Sequence, residues 1–447
     1  MKKIRIGGGA GFSGDRISPA VELVESGDID YIVFECLAER TIMLAQQRKR
    51  LDASNGYDPL FERRMRAILE SCAKKNIKII TNMGAANPRA AGNLAVRLMQ
   101  EMGIGNLAAA VVTGDDILDD VKRGQVQLHD LALSPREIEE HVVSANIYLG
   151  SAPILEALRQ GADVVITGRV ADPSLFVAPL LYEFGWPSDD WRRVGRAVML
   201  GHLMECGCQI SGGYYADPGY KDVEDLVSLG YPILEVHEDE RAYITKVPSS
   251  GGEVSVGTCK EQLLYEVRDP SRLITPDAVS DLIDVRFEQS APNRVQVYGG
   301  SGRLQPDKLR VLLCVQEGYI GEGEISYGGP GAYERAQLAA SCVREWLASE
   351  CVELSELRVD LIGVNHLYQH ASLPLQSPPP EVRLRVSGRA GTRRHAESVG
   401  EEVESLFLNG PAGGGGARKF VREVTPMYTA FIDRAAVQTQ IEILTPN

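Results

Sequence analysis

Hydrophobic and polar positions alternate in blocks along the first half of the chain. Short apolar runs are separated by amphipathic stretches that are long enough for helices, such as Pro59–Lys75 and Pro88–Met102. The runs are Lys3–Ile6, Asp30–Leu37, Ile77–Asn82, Leu107–Thr113, Ser144–Leu149 and Asp163–Thr167. Near-continuous apolar strands that alternate with helices predict a parallel sheet covered on both faces.

This pattern predicts an α/β fold and leaves two forms of it open. Right-handed crossovers would place the carboxyl ends of all the parallel strands at one edge. We expect a Rossmann-like, mostly parallel open sheet, with a TIM-like barrel as the alternative, because both forms produce the same order of strands and helices.

The pattern changes after about residue 215, where apolar and polar residues alternate singly. Strands are predicted at Pro232–Val236, Ala242–Val247, Arg294–Tyr298, Leu309–Val315, Tyr319–Ser326, Leu357–Val364, Glu381–Val386 and Val437–Leu444, with helices at Tyr333–Ser349 and Arg393–Leu408. Paired strands with helices on one face indicate an α+β second domain, for which a ferredoxin-like fold is one candidate. We therefore predict domains at 1–225 and 226–447, with Leu373–Pro380 as a stiff exposed linker or loop.

Composition excludes some classes of function. The 447 residues are 44% hydrophobic and 24% charged, and the net charge of −14 argues against nucleic acid as the main partner. Nothing indicates a membrane segment or a signal peptide, so we expect a soluble cytoplasmic protein. Its eight cysteines are then reduced, and most of them fill the core.

Glycines follow the first apolar run in the stretch GGGAGFSGD, residues 7–15. Such a loop lets backbone N–H groups approach a ligand, which makes Gly9, Gly11 and Ser13 candidate binding residues. The spacing Gly9-x-Gly11-x-x-Gly14 also fits the dinucleotide fingerprint, with Glu35 at the end of the second strand as the ribose-binding acid. A simple tight turn is the alternative.

Polar residues stand at the ends of several predicted strands. Glu35 is placed for acid/base chemistry, or it caps a helix or forms an ion pair. An amide such as Asn82, directly after an apolar strand, suggests hydrogen bonding to a ligand. Asn87 is a second candidate, or the N-cap of the helix that begins at Pro88.

The segment TGRVADP, residues 167–173, follows another buried strand and carries two candidates. Arg169 emerges at the sheet edge, where its guanidinium can hold a carboxylate or a phosphate bidentately. Asp172 is a candidate catalytic acid, or a cap of the following helix.

Two further candidate sites lie later in the chain. His202 and Glu205 are three residues apart, hence on one helical face, where they could bind a metal, act as acid and base, or form a buried pair. Gly413 and Gly414, beside Arg418 and Lys419, could cradle a phosphate or belong to a flexible connection.

Long motifs spread over the whole sequence resemble one known family. They are GGGAGFSGDR, DYIVFECLAERT, ITNMGAANP, VVITGRVADPS, GHLMECGCQISGG, GGEVSVGTCKEQLLYEVRDPSRLITPDAVSD and NGPAGGGG. The sequence is similar in these motifs to the acyclic terpene utilisation AtuA family. That resemblance implies catabolism of branched acids, such as the citronellyl and geranyl series, through CoA thioesters. It supplies no catalytic residues to transfer.

Together these observations predict a lyase-type enzyme, a hydratase or dehydratase, that acts on a branched carboxylic acid or its CoA thioester. Its partner is a small-molecule carboxylate or acyl-CoA, a divalent metal is left open, and a homo-oligomer is the default. The alternatives are an NAD(P)-dependent oxidoreductase and a non-catalytic binding or scaffold subunit. The enzymatic hypothesis requires Gly11, Glu35, Asn82 and Arg169 to meet around one cavity.

Overall fold

The computed structural model describes residues 2–368 and 379–446 and shows two compact units. The first unit comprises residues 2–139, 143–313 and 428–446, and the second comprises residues 140–142 and 314–427 in their described parts. The linker predicted at Leu373–Pro380 lies, as far as Pro378, outside the described residues.

Strands and helices alternate through the first half of the chain, as the hydrophobic pattern predicts. The strands are β1 (Lys3–Ala10), β2 (Tyr31–Phe34), β3 (Lys78–Thr81), β4 (Ala109–Thr113), β5 (Leu128–His129), β6 (Val142–Ile147), β7 (Val164–Thr167), β8 (Pro232–His237), β9 (Ala242–Lys246), β10 (Leu273–Ile274), β11 (Val279–Asp281), β12 (Arg286–Ala291), β13 (Arg294–Tyr298), β14 (Ser301–Arg303), β15 (Lys308–Val315), β16 (Tyr319–Gly328), β17 (Glu356–Ile362), β18 (Glu381–Ala390), β19 (Gly415–Glu423), β20 (Met427–Asp433) and β21 (Gln440–Leu444). The helices are α1 (Ser18–Ser26), α2 (Glu39–Leu51), α3 (Phe61–Lys75), α4 (Pro88–Glu101), α5 (Leu118–Lys122), α6 (Pro135–His141), α7 (Ala152–Arg159), α8 (Ser174–Phe184), α9 (Trp191–Glu205), α10 (Val256–Leu264), α11 (Ala332–Ser349) and α12 (Arg393–Asn409).

The first unit is built on a ten-stranded sheet in the order β12-β13-β9-β8-β1-β2-β3-β7-β4-β21. The five strands from β1 to β4 in this order are parallel, and their neighbours on both sides are antiparallel. β8 pairs with β1, and β21 pairs with β4. Strands from both predicted sequence ranges, 1–225 and 226–447, therefore share one mixed sheet.

Two details of the predicted strands are wrong. β1 extends to Ala10, so Gly7, Gly8 and Gly9 lie inside the strand and not in the loop after it. Glycine occupies position 9 of the strand because the packing there is close: a Cβ atom on Gly9 would stand 2.8 Å from the Phe34 ring. The run at Ser144–Leu149 forms β6, which belongs to a separate four-stranded sheet, β5-β20-β15-β6, and not to the large sheet.

Apolar side chains from both sides of the large sheet are buried almost completely. Ile32, Ile79 and Val164, on three neighbouring parallel strands, are fully buried, as is Phe61 at the start of α3. Burial of such side chains contributes about 1.5–3 kcal/mol each. This packing fixes the carboxyl ends of β2, β3 and β7 side by side, which is where the polar candidates emerge.

The second unit has the element order β16-α11-β17-β18-α12-β19. Its antiparallel sheet has the strand order β17-β18-β16-β19, and apolar residues from the helices and strands form one core, including Val343, Leu384 and Val403. α12 lies very close to β16, because a Cβ atom on Gly321 would collide with the Ala396 carbonyl oxygen, 1.6 Å away.

In the described part of the chain, no helix is both long and apolar enough to cross a membrane. All eight cysteines lie within the described residues, where none of them forms a disulfide, and four of them, Cys36, Cys72, Cys259 and Cys314, are buried.

Candidate functional site

A cavity of about 600 Å³ lies in the first unit. One part of its wall is apolar and includes Val267, Leu273 and Phe431. Another part carries ionisable side chains, among them Arg169, Asp172, His202, Glu205, Lys308 and Arg310. A cavity of this size with a largely apolar wall and a few polar groups is typical of a small-molecule site.

Arg169 and Asp172 form a buried ion pair on the cavity wall. Strand β7 ends at Thr167, and the chain then turns so that Arg169 Nη1 donates to Asp172 Oδ1 at 2.7 Å. The same guanidinium donates to the Leu37 carbonyl. Helix α8 begins only at Ser174, with Pro173 as its N-cap residue, so the Asp172 side chain pairs with Arg169 and does not cap the helix.

Tyr148 lies between two guanidinium groups. The Arg169 guanidinium carbon is 4.1 Å from the centroid of the Tyr148 ring, and that of Arg310 is 4.7 Å from it. The Tyr148 hydroxyl donates to Glu39 Oε1 at 2.7 Å, and Glu39 is also 3.3 Å from Arg310 Nη1. The two cations are therefore held apart by an aromatic ring, and Arg310 is oriented from two sides.

His202 and Glu205 form the pair that their spacing predicts, at the end of α9. Nδ1 of His202 is 2.7 Å from Glu205 Oε1, and Nε2 is 3.2 Å from the Leu263 carbonyl oxygen. When Glu205 is ionised, both neighbours are acceptors, so both ring nitrogens then carry protons and the imidazole is a cation. The second oxygen of Glu205, Oε2, is buried and has no hydrogen-bond partner among the described residues.

Glu35 and Asn82 meet at the ends of the adjacent strands β2 and β3. Glu35 Oε1 accepts from Asn82 Nδ2 at 2.9 Å and from the Leu37 N–H at 2.8 Å. Asn82 Oδ1 accepts from the Cys36 N–H at 2.7 Å. Asn82 is thus fully buried and holds the carboxyl group of Glu35, which is a different role from the ligand contact that the sequence predicts.

Three carboxyl groups of this region hold protons more strongly than usual. Burial raises the pKa of Glu35 well above its ordinary value, and the nearby charge of Asp172 raises it further. Burial also raises the pKa of Asp172 and of Glu205, although Arg169 and His202 oppose the two shifts. Burial lowers the pKa of His202, but the charge and the hydrogen bond of Glu205 outweigh it, and the pKa is raised overall. Such shifts are typical of acid/base groups in enzymes.

The loop after β1 is stabilised by its own contacts. The N–H groups of Gly11 and Phe12 donate to Asp15 Oδ2 at 2.7 and 3.2 Å. Ser13 Oγ donates to Asp58 Oδ2 at 2.5 Å, and the buried Arg64 donates to the Ser13 carbonyl. Asp15 therefore occupies the N–H groups that a pyrophosphate would need, which argues against the dinucleotide interpretation.

Gly11 lies beside the candidate site without lining the cavity. A Cβ atom on Gly11 would stand 2.2 Å from the carbonyl carbon of Cys206, the residue after Glu205. Of the four residues expected to meet around one cavity, only Arg169 lines it, so the requirement set for the enzymatic hypothesis is not met in that form. The hypothesis rests instead on Asp172, His202 and Glu205, which do line the cavity. Glu35 lies close enough to Arg169 and Asp172 to interact with their charges, and Asn82 holds Glu35.

The remaining candidates lie elsewhere. Asn87 is the N-cap of α4, as the alternative interpretation predicts, since its side chain accepts from the Ala90 N–H at 3.3 Å. Gly413 and Gly414 belong to the second unit, where Arg335 Nη1 donates to the Ala412 carbonyl at 2.7 Å.

Four residues of the site were not predicted from the sequence: Glu39, Tyr148, Lys308 and Arg310. Lys308 and Arg310 lie on β15, a strand that was predicted, but two cations on an alternating strand look like solvent-facing residues. The spacing of two residues, which places both side chains on one face, was the available signal.

The described residues contain no group of three or more His, Cys, Asp or Glu side chains arranged to hold a metal ion. Two of the acids at the cavity, Asp172 and Glu205, are paired with Arg169 and His202.

The fold and the cavity define a mixed α/β protein with a ligand-sized cavity whose wall carries two partly buried acids, each paired with a basic side chain. The chain belongs to the acyclic terpene utilisation family, AtuA, whose family model matches residues 4–443. No curated protein and no solved structure matches the chain.

Proposed function

We propose that this protein is a lyase, a hydratase or dehydratase, that acts on a branched carboxylic acid or its CoA thioester in acyclic terpene-like catabolism. One observation carries the proposal: Asp172 and Glu205, two acids whose pKa is raised, line one cavity together with apolar side chains. An apolar wall suits a branched hydrocarbon chain, and two acids suit the transfer of two protons.

In the dehydration direction, Glu205 is the base. It removes a proton from the carbon next to the carbonyl group, since its side chain lines the cavity that would hold the substrate. His202, which is hydrogen-bonded to Oε1, opposes the rise in the pKa of Glu205 that burial causes and fixes the carboxyl group in position.

Asp172 is the acid of the same step. Burial raises its pKa although Arg169 opposes the shift, so Asp172 takes up a proton more readily than an ordinary aspartate that is paired with an arginine. In its protonated form it gives that proton to the leaving hydroxyl group as the carbon–oxygen bond breaks. A carbon–carbon double bond forms and water leaves, and hydration is the reverse. Arg169 holds Asp172 in place and supplies positive charge near the substrate carbonyl. Glu35, which is hydrogen-bonded to Asn82, lies close enough to Arg169 and Asp172 to interact with their charges.

The proposal also covers the fold of each unit and the assembly of the protein. The strand order, which ends in β12 on one side and β21 on the other, supports an open Rossmann-like sheet over a TIM-like barrel. The order β-α-β-β-α-β of the second unit supports a ferredoxin-like fold. Three expectations stay predictions: the domain division at residues 225 and 226, a cytoplasmic location and a homo-oligomer. No contact of the described residues favours an oxidoreductase or a scaffold.

The test is turnover by the purified protein. A panel of branched and linear enoyl-CoAs, hydroxyacyl-CoAs and the corresponding free acids is incubated with the enzyme, and water addition or loss is followed by mass spectrometry. We expect turnover of branched members that depends on both Asp172 and Glu205. No turnover and no thermal stabilisation by any member of the panel would refute the proposal.

A further inference from the structure

The strand β15 brings two cations to the cavity that the proposed proton transfers do not use. Lys308 and Arg310 are two residues apart on the strand, and both line the cavity. Since side chains alternate along a strand, these two lie on the same face.

Lys308 has no ion partner. It is exposed, and it forms no hydrogen bond or salt bridge with any residue in the ranges 2–368 and 379–446. Most long cations of this unit are paired, for example Arg66 with Glu62 and Glu101. An unpaired ammonium group at a cavity wall is free to bind an anion.

Arg310 is held in place, but one of its terminal nitrogens makes only a long contact. Its guanidinium stacks on Tyr148, and Nη1 lies 3.3 Å from Glu39. Nη2 has only a long contact, 3.5 Å, to Thr429 Oγ1. The stacking fixes the plane of the guanidinium, so its remaining N–H groups have a defined direction, which is the arrangement that binds two oxygens of one anion.

Arg169 differs from Arg310 in the availability of its N–H donors. Its donors are bound to Asp172 and to the Leu37 carbonyl, and its side chain is almost fully buried. A negatively charged head group therefore finds its donors on β15 and not on Arg169, although the sequence points to Arg169.

We propose that Lys308 and Arg310, oriented by Tyr148 and Glu39, form the subsite that binds the anionic oxygens of the ligand, a carboxylate or a phosphate. This inference deepens the proposed function and rests on it for the identity of the ligand. Asp172 is close enough to Arg310 to be affected by its charge, so an anion bound there lies next to the proposed acid.

The test compares two ligands that differ only in charge. Octanoate and octanamide share one chain and nearly one shape, and their binding to the full chain is measured by calorimetry at low salt. We expect octanoate to bind about 10-fold more tightly than octanamide, as for one charge-assisted hydrogen-bonded contact. Equal binding of both ligands by the wild-type protein would overturn the inference.

Substitutions of the two cations test whether they cause the difference in affinity between octanoate and octanamide. In Lys308→Gln and Arg310→Gln, octanoate binding is expected to weaken about 5- to 10-fold while octanamide binding is unchanged. Lys260→Gln, which removes an exposed lysine of α10 outside this cavity, is the matched control and leaves both affinities unchanged. A parallel loss of both ligands, or no loss of either, would overturn the inference.

Inorganic phosphate, titrated alone, is the second arm. If octanoate is preferred over octanamide but phosphate binds more tightly than octanoate and its binding is lost in the same two variants, the subsite is assigned to a phosphate group. These are binding measurements, so failure of the turnover assay leaves them interpretable, and their failure leaves the lyase proposal standing.

Discussion

His202 and Glu205 form a hydrogen-bonded pair in which only the carboxylate retains an unpartnered oxygen. Both nitrogens of the ring face acceptors, whereas Glu205 uses Oε1 alone and leaves Oε2 buried without a partner. Two residues that look equivalent in the sequence are therefore not equivalent in the site. The histidine is the positioning residue, and the acid is the proposed base.

The first prediction concerns Glu205→Gln. Because the amide cannot accept the proton, the turnover rate with a branched substrate is expected to fall by about 100-fold or more. Glu266→Gln is the matched control, since this exposed acid lines the same cavity without an ion partner of its own, and we expect little change in its rate. Equal rates for both variants would remove Glu205 from the mechanism.

The same variant has a readout that does not need a substrate. The charge of Glu205 raises the pKa of His202, so Glu205→Gln is expected to lower that pKa, as followed by the pH dependence of the His202 ring signals in NMR. An unchanged pKa in the variant would show that the pair is not formed in solution.

The second prediction concerns Arg169→Gln. Removing a buried cation leaves Asp172 and Glu35 without compensation, so the free energy of unfolding is expected to fall by about 3–5 kcal/mol, measured by urea denaturation. Arg159→Gln breaks an exposed pair with Glu156 and is expected to change stability by less than about 1 kcal/mol. Similar losses in the two variants would mean that the Arg169 pair is solvated.

The third prediction is a pH dependence that comes from Asp115. This acid is buried and accepts from the Arg169 N–H at 2.8 Å, and burial raises its pKa from 3.8 to about 6. The folded state therefore binds a proton that the unfolded state releases near pH 4. Stability falls as the pH rises through this window, by about 3 kcal/mol at 1.36 kcal/mol per pKa unit.

Asp115→Asn removes this titration. The expected result is a smaller decrease in the free energy of unfolding between about pH 4 and pH 6 in the variant than in the wild type, from urea curves at each pH. Parallel pH profiles would show that Asp115 has an ordinary pKa in the folded protein.

The fourth prediction concerns Gly11→Ala. The new Cβ atom would collide with the backbone of Cys206 and Gly207, which cannot move aside as a flexible side chain can. We expect a loss of about 3 kcal/mol of stability together with a displaced Glu205. Gly105→Ala, where nothing lies within 4 Å of the new atom, should leave the unfolding temperature nearly unchanged. If the two variants are equally stable, Gly11 is not packed on Cys206.

Local features were predictable where they depend on nearby residues. The alternation of apolar runs with amphipathic stretches placed the ends of β2, β3, β4 and β7 within about three residues, because their burial leaves a continuous apolar signal. The pairing of His202 with Glu205 also followed from spacing, since residues three apart share a helical face. The N-cap role of Asn87 followed from Pro88 beside it.

The sequence by itself determined the family, the α/β class and most of the acids and cations from which a site could be built. Only the tertiary structure decided which of them meet: that Asn82 holds Glu35, that the Leu37 carbonyl accepts from Arg169, and that Arg310 shares Tyr148 with Arg169. Strand and helix patterns arise from neighbours a few residues apart. The contact of Asn82 with Glu35 joins residues 47 positions apart and that of Arg169 with Leu37 joins residues 132 positions apart, and no local pattern encodes the choice among such distant partners.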